Sequence, residues 1–371
     1  MRALDRWLIP YLRQKKRRVA DGVRVFLTIA DHFEPYHHTN HAGAMDRMKR
    51  WSDEYPVGIA PFRDSGGRTP RHTFFYPIEQ YDPEVVGKLA EVCRSSGSET
   101  EVHLHHDGDT EESLREKLLL GVSQLQSHGM LSQDPSGKAA FAFVHGDWAL
   151  ANCHPSGEAC GVPHELAALR ECGCYADLTF PSAPSPTQPT RVNSMYYVED
   201  TGSPRTLSHG PAVRAGIQPA EAASLKHLLL IQGVLALNWD RRKWGVLPRM
   251  ENSDITSANP PVASRFHSWL KHAPSPAGLP SWVFIKLHTH GAVPRNSDVF
   301  LGEPMRRFHR YLCEEWAGRG GNHLHYVTAR EMVNVLRAVE GGAREFHPAL
   351  LDSVFPPPET SRVSAPAASS L

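Results

Sequence analysis

The chain alternates short apolar runs with stretches of helical periodicity from residue 23 to about residue 340. Apolar runs of strand length lie at residues 23–30, 71–76, 101–105, 139–144, 174–180, 281–287 and 323–327. Helical periods lie at residues 83–94, 111–127, 163–171, 261–272, 304–317 and 329–339. This order is typical of βα units, in which a crossover helix connects two parallel strands. It predicts an α/β fold with a mainly parallel sheet.

The length is compatible with one large domain. The 371 residues exceed the usual domain size, but α/β barrels routinely take roughly 200–250 residues as a single unit. We expect one barrel-like domain over residues 21–345. Residues 181–219 are rich in Pro, Ser, Thr and Gly and predict a long loop excursion. The Pro, Ser and Ala-rich residues 356–371 predict a disordered tail.

The first 20 residues predict a basic amphipathic helix. Apolar Trp7, Leu8, Ile9, Tyr11 and Leu12 precede a basic run at residues 15–18. Such a helix either lies on an anionic membrane surface or packs against the domain. The chain shows neither a secretory signal pattern nor a run of about 18 apolar residues, the length that could span a bilayer. We therefore expect a cytoplasmic protein, with a peripheral position at the inner face of the membrane as the alternative.

Histidine is the compositional outlier. The chain has 22 histidines, whereas general usage predicts roughly half as many. Lys plus Arg and Asp plus Glu both total 40, so the strong basic field of a nucleic-acid-binding protein is missing. Six cysteines are too few for a disulfide scaffold in a chain of this length. The composition favours metal chemistry or proton transfer and predicts no nucleic-acid partner.

Imidazole and carboxylate groups follow four of the predicted strands. The histidines are His32, His103, His105, His106, His145, His288 and His290, and the carboxylates are Asp31, Glu34, Asp107, Asp109 and Asp147. In barrels and open parallel sheets the ligand site lies beyond the carboxyl ends of the strands. Four strand ends carrying histidine therefore predict one shared site.

These strand ends resemble the motifs of the polysaccharide deacetylase superfamily. In that family a first strand ends in Thr-Phe-Asp-Asp, a His-Ser/Thr-x-x-His turn follows a strand that commonly begins Glu-Ile, and a late strand ends in Leu-x-His. Here the corresponding segments are Thr28–His32, Glu101–Asp109 and Leu287–His288. The resemblance implies a distorted, incomplete (β/α) barrel of about seven parallel strands.

The resemblance also implies roles for individual residues. Asp31 takes the place of the general base, and His32, His105 and Asp109 take the places of the metal ligands. His288 corresponds to the general acid, with His290 as an alternative. The implied metal ligands are two histidines and one carboxylate, the same types as in the family. The histidine and the carboxylate are exchanged between the two strands that supply them. The residues expected to orient the ligands or to meet substrate are Glu34, His103, His106, Asp107, His145, Asp147 and Trp148.

The match departs from the family pattern at three points. The second histidine of the His-x-x-x-His turn is replaced by Asp109. A rival alignment of the first motif leaves Ala30 at the base position and makes Asp31 the ligand. The family's arginine and tryptophan motifs have no faithful counterpart, because His145, Asp147 and Trp148 stand at the corresponding strand end.

The sequence thus predicts a metal-dependent hydrolase that removes N-acetyl groups from a polysaccharide, such as an exopolysaccharide, or from a glycan precursor. One divalent ion, expected to be zinc, would lower the pKa of its bound water and polarise a carbonyl. Asp31 would take a proton from that water, and His288 would protonate the departing amine. Hydrolysis of another C–N or glycosidic bond is an alternative. A further alternative is a catalytically silent barrel that binds carbohydrate or scaffolds polysaccharide biosynthesis.

A second group of potential ligands lies within residues 153–174. It comprises Cys153, His154, Cys160, His164, Cys172 and Cys174. Such crowding suggests a structural zinc site, but the spacings do not match the tight Cys-x2-Cys pattern of zinc knuckles. The sequence favours ordinary buried thiols.

Overall fold

The computed structural model describes residues 3–14, 16–17, 21–202 and 207–361. Its helices are α1 (Leu4–Arg13), α2 (His41–Ile59), α3 (Pro83–Ser96), α4 (Glu111–Ser127), α5 (Glu165–Glu171), α6 (Ala263–His272), α7 (Pro294–Phe300), α8 (Glu303–Arg310) and α9 (Ala329–Glu340). Its strands are β1 (Arg24–His32), β2 (Thr73–Pro77), β3 (Glu99–Leu104), β4 (Ser132–Gln133), β5 (Ala139–His145), β6 (Cys174–Asp177), β7 (Met195–Glu199), β8 (His227–Ile231), β9 (Ala236–Lys243), β10 (Leu247–Glu251), β11 (Trp282–Thr289) and β12 (His323–Tyr326).

The strands form a largely parallel sheet in the order β11-β1-β2-β3-β5-β6-β8-β7. β1 also pairs in parallel with β12, whereas β7 and the short β4 pair antiparallel with β8 and β5. A separate antiparallel hairpin consists of β9 and β10. The parallel sheet with its helices confirms the predicted α/β class. Within the described ranges the sheet does not close on itself, so a complete barrel is not formed.

Each face of the sheet packs in its own apolar core. Leu27 and Ile29 of β1 share a core with Trp51 of α2, together with residues of α3 to α6 and α8, on what we call the outer face. Phe26 and Ala30 share the other core with residues of α9, on the inner face. Helix α9 contacts both β1 and β5, so the sheet curves around it. Because side chains alternate along a strand, consecutive residues of β1 belong to opposite faces.

Most predicted elements agree with the observed ones. Helix α4 spans the predicted residues, and Thr110 caps it by accepting a hydrogen bond from the Ser113 N–H at 3.2 Å. The long helix α2 was not predicted, although Asn40 caps it and its buried residues recur with helical spacing, from Ala44 to Ile59. Strand β7 lies inside the predicted loop excursion at 181–219, because Tyr196 and its neighbours are buried against β8.

Helix α1 packs on the domain through one face only. Trp7 and Tyr11 are buried, whereas Ile9 and Leu12 remain 54% and 62% exposed. Arg17, from the predicted basic run, donates to the Leu270 carbonyl at 3.0 Å and so fixes the chain to the end of α6. Within residues 15–20, only Lys16 and Arg17 are among the described residues. None of the described helices is long and apolar enough to cross a membrane.

The segment before the carboxyl terminus packs on α9 and β3 through Arg330. This buried guanidinium donates to both carboxylate oxygens of Glu99, at 2.7 and 3.0 Å, and to the Leu351 and Phe355 carbonyls at 3.1 and 2.6 Å. Ser361 donates to the same Glu99 at 3.3 Å. Residues 356–361 therefore lie against the domain, and the remainder of the predicted tail, 362–371, lies outside the described residues.

Candidate metal centre

Five side chains meet on the inner face at the carboxyl ends of β1, β3 and β11, and we call them the mouth cluster. They are His32, Glu34, His103, His105 and His290. Each lies in a strand or within two residues of its end. Parallel strands present their carboxyl ends at one edge of a sheet, so segments far apart in the sequence converge there.

Glu34 lies at the centre of this cluster. Its Oε1 atom is 3.4 Å from His103 Nε2 and 3.8 Å from both His105 Nε2 and His290 Nε2. The ring of His32 completes the group, with its centroid 5.0 Å from that of His103 and 4.9 Å from that of His290. One carboxylate therefore faces imidazoles from three strands.

Outer hydrogen bonds fix the orientation of two of these rings. His103 Nδ1 lies 2.7 Å from the Val144 carbonyl, and His105 Nδ1 lies 2.7 Å from Glu79 Oε1. A carbonyl or carboxylate oxygen can only accept, so the proton of each neutral ring is on Nδ1 and the Nε2 lone pair points toward Glu34. The buried His103 Nε2 has no hydrogen-bond partner within the described residues. Such outer partners are typical of metal-ligating histidines.

The charges of the cluster are arranged around the carboxylate. Burial alone would raise the pKa of Glu34, but the imidazoles of His103, His290 and His105 outweigh it and hold this pKa at about 2. Burial, reinforced by neighbouring imidazoles, lowers the pKa of His32 well below its usual value. Burial also lowers the pKa of His290, although Glu34 opposes that shift. Burial acts in the same direction on His105, but Glu79 and Glu34 outweigh it and raise the pKa of that imidazole, so the rings of the cluster differ in their affinity for a proton.

The donor set fits a divalent cation. Glu34 forms one group with His32 and His290 and another with His103 and His105, and within each group the donor atoms lie within 4.8 Å of one another. Nitrogen and oxygen donors of this kind suit zinc and other borderline divalent ions. His105 and His290 are each about one-third exposed, at 33% and 35% of their side chains. A substrate thus has access to the cluster.

Asp31, the predicted general base, lies on the outer face with Ile29. It is fully buried, its Oδ2 is 2.8 Å from His72 Nε2, and its Oδ1 accepts the Gly291 N–H at 2.6 Å. A Cβ on Gly291 would lie 2.1 Å from Asp31 Oδ2, so only glycine fits there. Asp31 therefore contacts the turn that carries His290, and its role as base remains a prediction.

His288, the predicted general acid, lies on the inner face of β11 and pairs in register with Ala30. It is half-buried, and its burial, together with the nearby Lys286, lowers its pKa well below the usual value. Its ring centroid is 6.4 Å from that of His32. The alternative acid, His290, thus belongs to the mouth cluster. His288 lies next to His32 but is not a member of the cluster.

Asp109, the predicted third ligand, does not join His32 and His105. Its carboxylate pairs with Lys117 Nζ at 2.7 and 2.8 Å and accepts from Ser113 Oγ at 2.8 Å. The carboxylate that lies among these imidazoles is that of Glu34, which the sequence suggested only as an orienting residue.

The other predicted orienting residues lie around the loop after β5. Asp107 Oδ1 accepts the Ala159 N–H at 2.8 Å. Asp147 is exposed and Trp148 half-buried, and their φ angles of 54° and 58° belong to the left-handed region. His106 and His145 lie in a second, fully buried group with Cys160 and Glu165.

The cysteine and histidine segment at 153–174 does not converge as a whole. Cys153 lies 3.6 Å from the Thr187 carbonyl, His164 pairs with Asp200 at 2.9 Å, and all six cysteines are free thiols. Of the cysteines and histidines of this segment, only Cys160 belongs to a group of potential ligands among the described residues. Glu165 had no signal in the sequence, because it neither follows a strand nor belongs to a recognisable motif. Glu79 lies two residues after β2, so its place at a strand end was a signal that the sequence analysis did not use.

Comparisons with known proteins reach the level of the fold only. No protein-family model and no curated protein matches the chain. A solved structure described as a "putative polysaccharide deacetylase" from Mycobacterium smegmatis is 12% identical, covers 90% of this chain and 97% of its own, and gives a TM-score of 0.45. The structure of the 4-alpha-glucanotransferase from Thermococcus litoralis is 10% identical and gives a TM-score of 0.42. The match covers 84% of this chain and 40% of the glucanotransferase chain. These values carry no functional argument.

Proposed function

We propose that this protein is a divalent-metal-dependent hydrolase that cleaves the amide of an N-acylated sugar in a polysaccharide or glycan precursor. The observation that carries the proposal is the convergence of three Nε2 atoms on Glu34 Oε1, at 3.4, 3.8 and 3.8 Å. Facing imidazole lone pairs against a carboxylate oxygen is unfavourable unless a cation or proton lies between them. The cluster is therefore best explained as a metal centre.

We assign the ligand role to Glu34, His103 and His105. The two histidines have outer partners that fix their rings, Val144 and Glu79 respectively. Their arrangement leaves the one-third-exposed side of the cluster, where His290 lies, for substrate. A bound divalent ion, for which zinc is the first candidate, would supply an acidified water and an electrophile for the acyl carbonyl.

His290 is the residue we assign to proton transfer. Burial holds its pKa below the usual value, so the neutral ring can accept a proton from the attacking water and pass it to the departing amine. Asp31 positions the ring through the 2.6 Å hydrogen bond from the Gly291 N–H. His32, also neutral, lies against the ring of His290 with 4.9 Å between centroids and restricts its rotation.

Exposed aromatic rings on the hairpin β9–β10 are a second feature in favour of a sugar substrate, although Trp239 lies beside His267 and Lys271 of α6 and Lys243 Nζ lies over the Trp244 ring at 4.2 Å. The hairpin β9–β10 leads into residues 252–255, which hydrogen-bond to the backbone of His288 at 2.8 and 3.1 Å. On that hairpin Trp239 is 53% and Trp244 76% exposed. Trp244 lies at the turn, where its φ of 52° and that of Gly245, 74°, are both positive. Exposed indole faces are well suited to stack on sugar rings.

Acetate release tests the proposal. We expect the zinc-loaded protein to release acetate from N-acetylated oligosaccharides, and His290→Gln to lower kcat by about 10²–10⁴-fold, the usual contribution of a general acid–base group. His267→Gln, which changes an exposed histidine bonded to Tyr311, is the matched control and should leave kcat unchanged. Binding of oligosaccharides without release of acetate, with or without stoichiometric metal, would contradict this proposal. It would support the silent carbohydrate-binding alternative.

Contact of α1 with a membrane is a separate proposal. Leu4, Ile9 and Leu12 project from the domain with 43%, 54% and 62% exposure, which is typical of the apolar face of an interfacial helix. We expect the protein to co-sediment with phosphatidylserine-containing vesicles and Leu12→Glu to reduce that binding by at least about threefold. Leu119→Glu, at an exposed leucine of α4, is the control. Failure of the unaltered protein to bind anionic vesicles at low salt would rule the contact out.

A further inference from the structure

We propose that His106, His145, Cys160 and Glu165 form a second site for a divalent ion of the zinc type, with a structural role distinct from that of the mouth cluster. The four donor atoms lie within 4.8 Å of one another, and all four residues are buried. We call them the enclosed cluster. One thiol, two imidazoles and one carboxylate are a full set of four ligands for tetrahedral zinc, which leaves no position open for substrate.

Glu165 connects the members of this cluster. Its Oε1 atom is 3.2 Å from His106 Nε2 and 3.5 Å from His145 Nε2, and its Oε2 atom is 3.4 Å from Cys160 Sγ. The side chains of His106, His145 and Glu165 are completely inaccessible to solvent. Glu165 Oε2 also accepts the Ala151 N–H at 2.5 Å, and a positive charge close to this buried carboxylate would stabilise it further.

The orientation of His145 indicates what that charge is. Its Nδ1 contacts the Gly146 carbonyl, which can only accept, so in the neutral ring the proton is on Nδ1. The lone pair of Nε2 then points at Glu165 Oε1, and this buried nitrogen has no hydrogen-bond partner within the described residues. Two acceptors facing each other in a dry site repel, and a cation between them converts both into ligands. His106 has the matching outer contact, since its Nδ1 lies 3.2 Å from Asp109 Oδ2.

The cluster joins parts of the chain that need a common anchor. His106 follows β3, and His145 is the last residue of β5. Cys160 lies in the loop between β5 and α5, and Glu165 begins α5. That loop contains non-glycine residues at positive φ, at positions 147, 148, 151, 152 and 159. Such conformations persist only where surrounding contacts enforce them. A metal bound by both strand ends and by the loop would provide that constraint.

Cobalt substitution distinguishes the two sites, because only the enclosed cluster contains sulfur. We expect the cobalt(II)-loaded protein to show an intense near-ultraviolet sulfur-to-cobalt charge-transfer band. Cys160→Ala should abolish the band and lower the bound metal by one equivalent per chain. Cys172→Ala is the matched control, since Cys172 is buried at the end of α5 but outside the cluster, and should retain the band. Glu34→Gln should retain it as well, so the result does not depend on the proposed hydrolase activity.

Absence of the band in cobalt-loaded unaltered protein, or its survival in Cys160→Ala, would overturn the proposal. If Cys160→Ala fails to fold, X-ray absorption at the zinc edge of the unaltered protein gives the answer. A sulfur scatterer at about 2.3 Å, the usual zinc–thiolate distance, supports the site, whereas a zinc-loaded protein with nitrogen and oxygen scatterers alone contradicts it.

Discussion

Replacement of Glu34 by glutamine should remove one equivalent of divalent metal from the protein and abolish its hydrolytic activity. The carboxylate lies at the centre of the mouth cluster, and the imidazoles around it hold its pKa at about 2, so it is an anion over the whole working pH range. Glutamine keeps the shape but removes the charge that offsets a divalent cation. We expect the affinity for that cation to fall by more than the roughly 10–100-fold that loss of an outer partner costs.

A graded pair of controls sharpens this measurement. Glu79→Gln replaces the carboxylate that lies 2.7 Å from His105 Nδ1 by a neutral amide and should lower metal affinity by about 10–100-fold. Glu84→Gln removes an exposed carboxylate that contacts His41 and should have no effect. Isothermal titration of the metal-free proteins with zinc reports all three affinities. Equal affinities for Glu34→Gln and the unaltered protein would show that the mouth cluster does not bind metal.

Arg330→Met should destabilise the fold more than any change on the surface. The substitution leaves the buried Glu99 carboxylate without its partner and removes the donor that holds the Leu351 and Phe355 carbonyls. Removing one member of a buried ion pair typically costs about 3–5 kcal/mol, because the remaining charge is left uncompensated. We expect a loss of that size in the free energy of unfolding, measured by urea denaturation.

Lys49→Met is the control for this second experiment. Lys49 also pairs with a carboxylate, Asp53, but both side chains are largely exposed, at 74% and 58%. Exposed pairs contribute about 0–1 kcal/mol, so the control should unfold almost as the unaltered protein does. A loss below about 1 kcal/mol for Arg330→Met would mean that Glu99 is protonated or solvated in the variant rather than left as an unpaired anion.

The parallel sheet and the collection of histidines at one edge could be predicted from the sequence, because both follow from local periodicity. The boundary of β1 could not. The apolar run ends at Ala30, yet the strand continues to His32, because Asp31 and His32 pair with Phe74 and Phe75 of β2. This non-local pairing extends the alternation by two residues and places Asp31 and His32 on opposite faces. The sequence therefore predicted that Asp31, as base, and His32, as ligand, would lie at one site. The fold instead places these adjacent residues on opposite faces of the sheet.

The composition of each cluster depends on contacts that no local pattern reveals. Glu34 reaches the centre of the mouth cluster because the chain turns directly after β1, where the His37 N–H donates to the Glu34 carbonyl at 3.1 Å. Glu165 reaches His106 from 59 positions away. Motif spacing along the chain predicts ligand types, whereas the selection among neighbouring carboxylates is made by turns and by helix placement.

His105 and His106 are consecutive residues, yet one ring faces the mouth cluster and the other the enclosed cluster. Their α-carbons are separated by a single peptide unit, about 3.8 Å, so a backbone shift at either residue displaces the other. If both clusters bind metal, a backbone shift that accompanies binding at one site couples it to the other, and thermodynamic reciprocity makes the two effects on affinity equal in size. We then expect the zinc affinity of each site to differ between protein with the other site filled and protein with the other site empty.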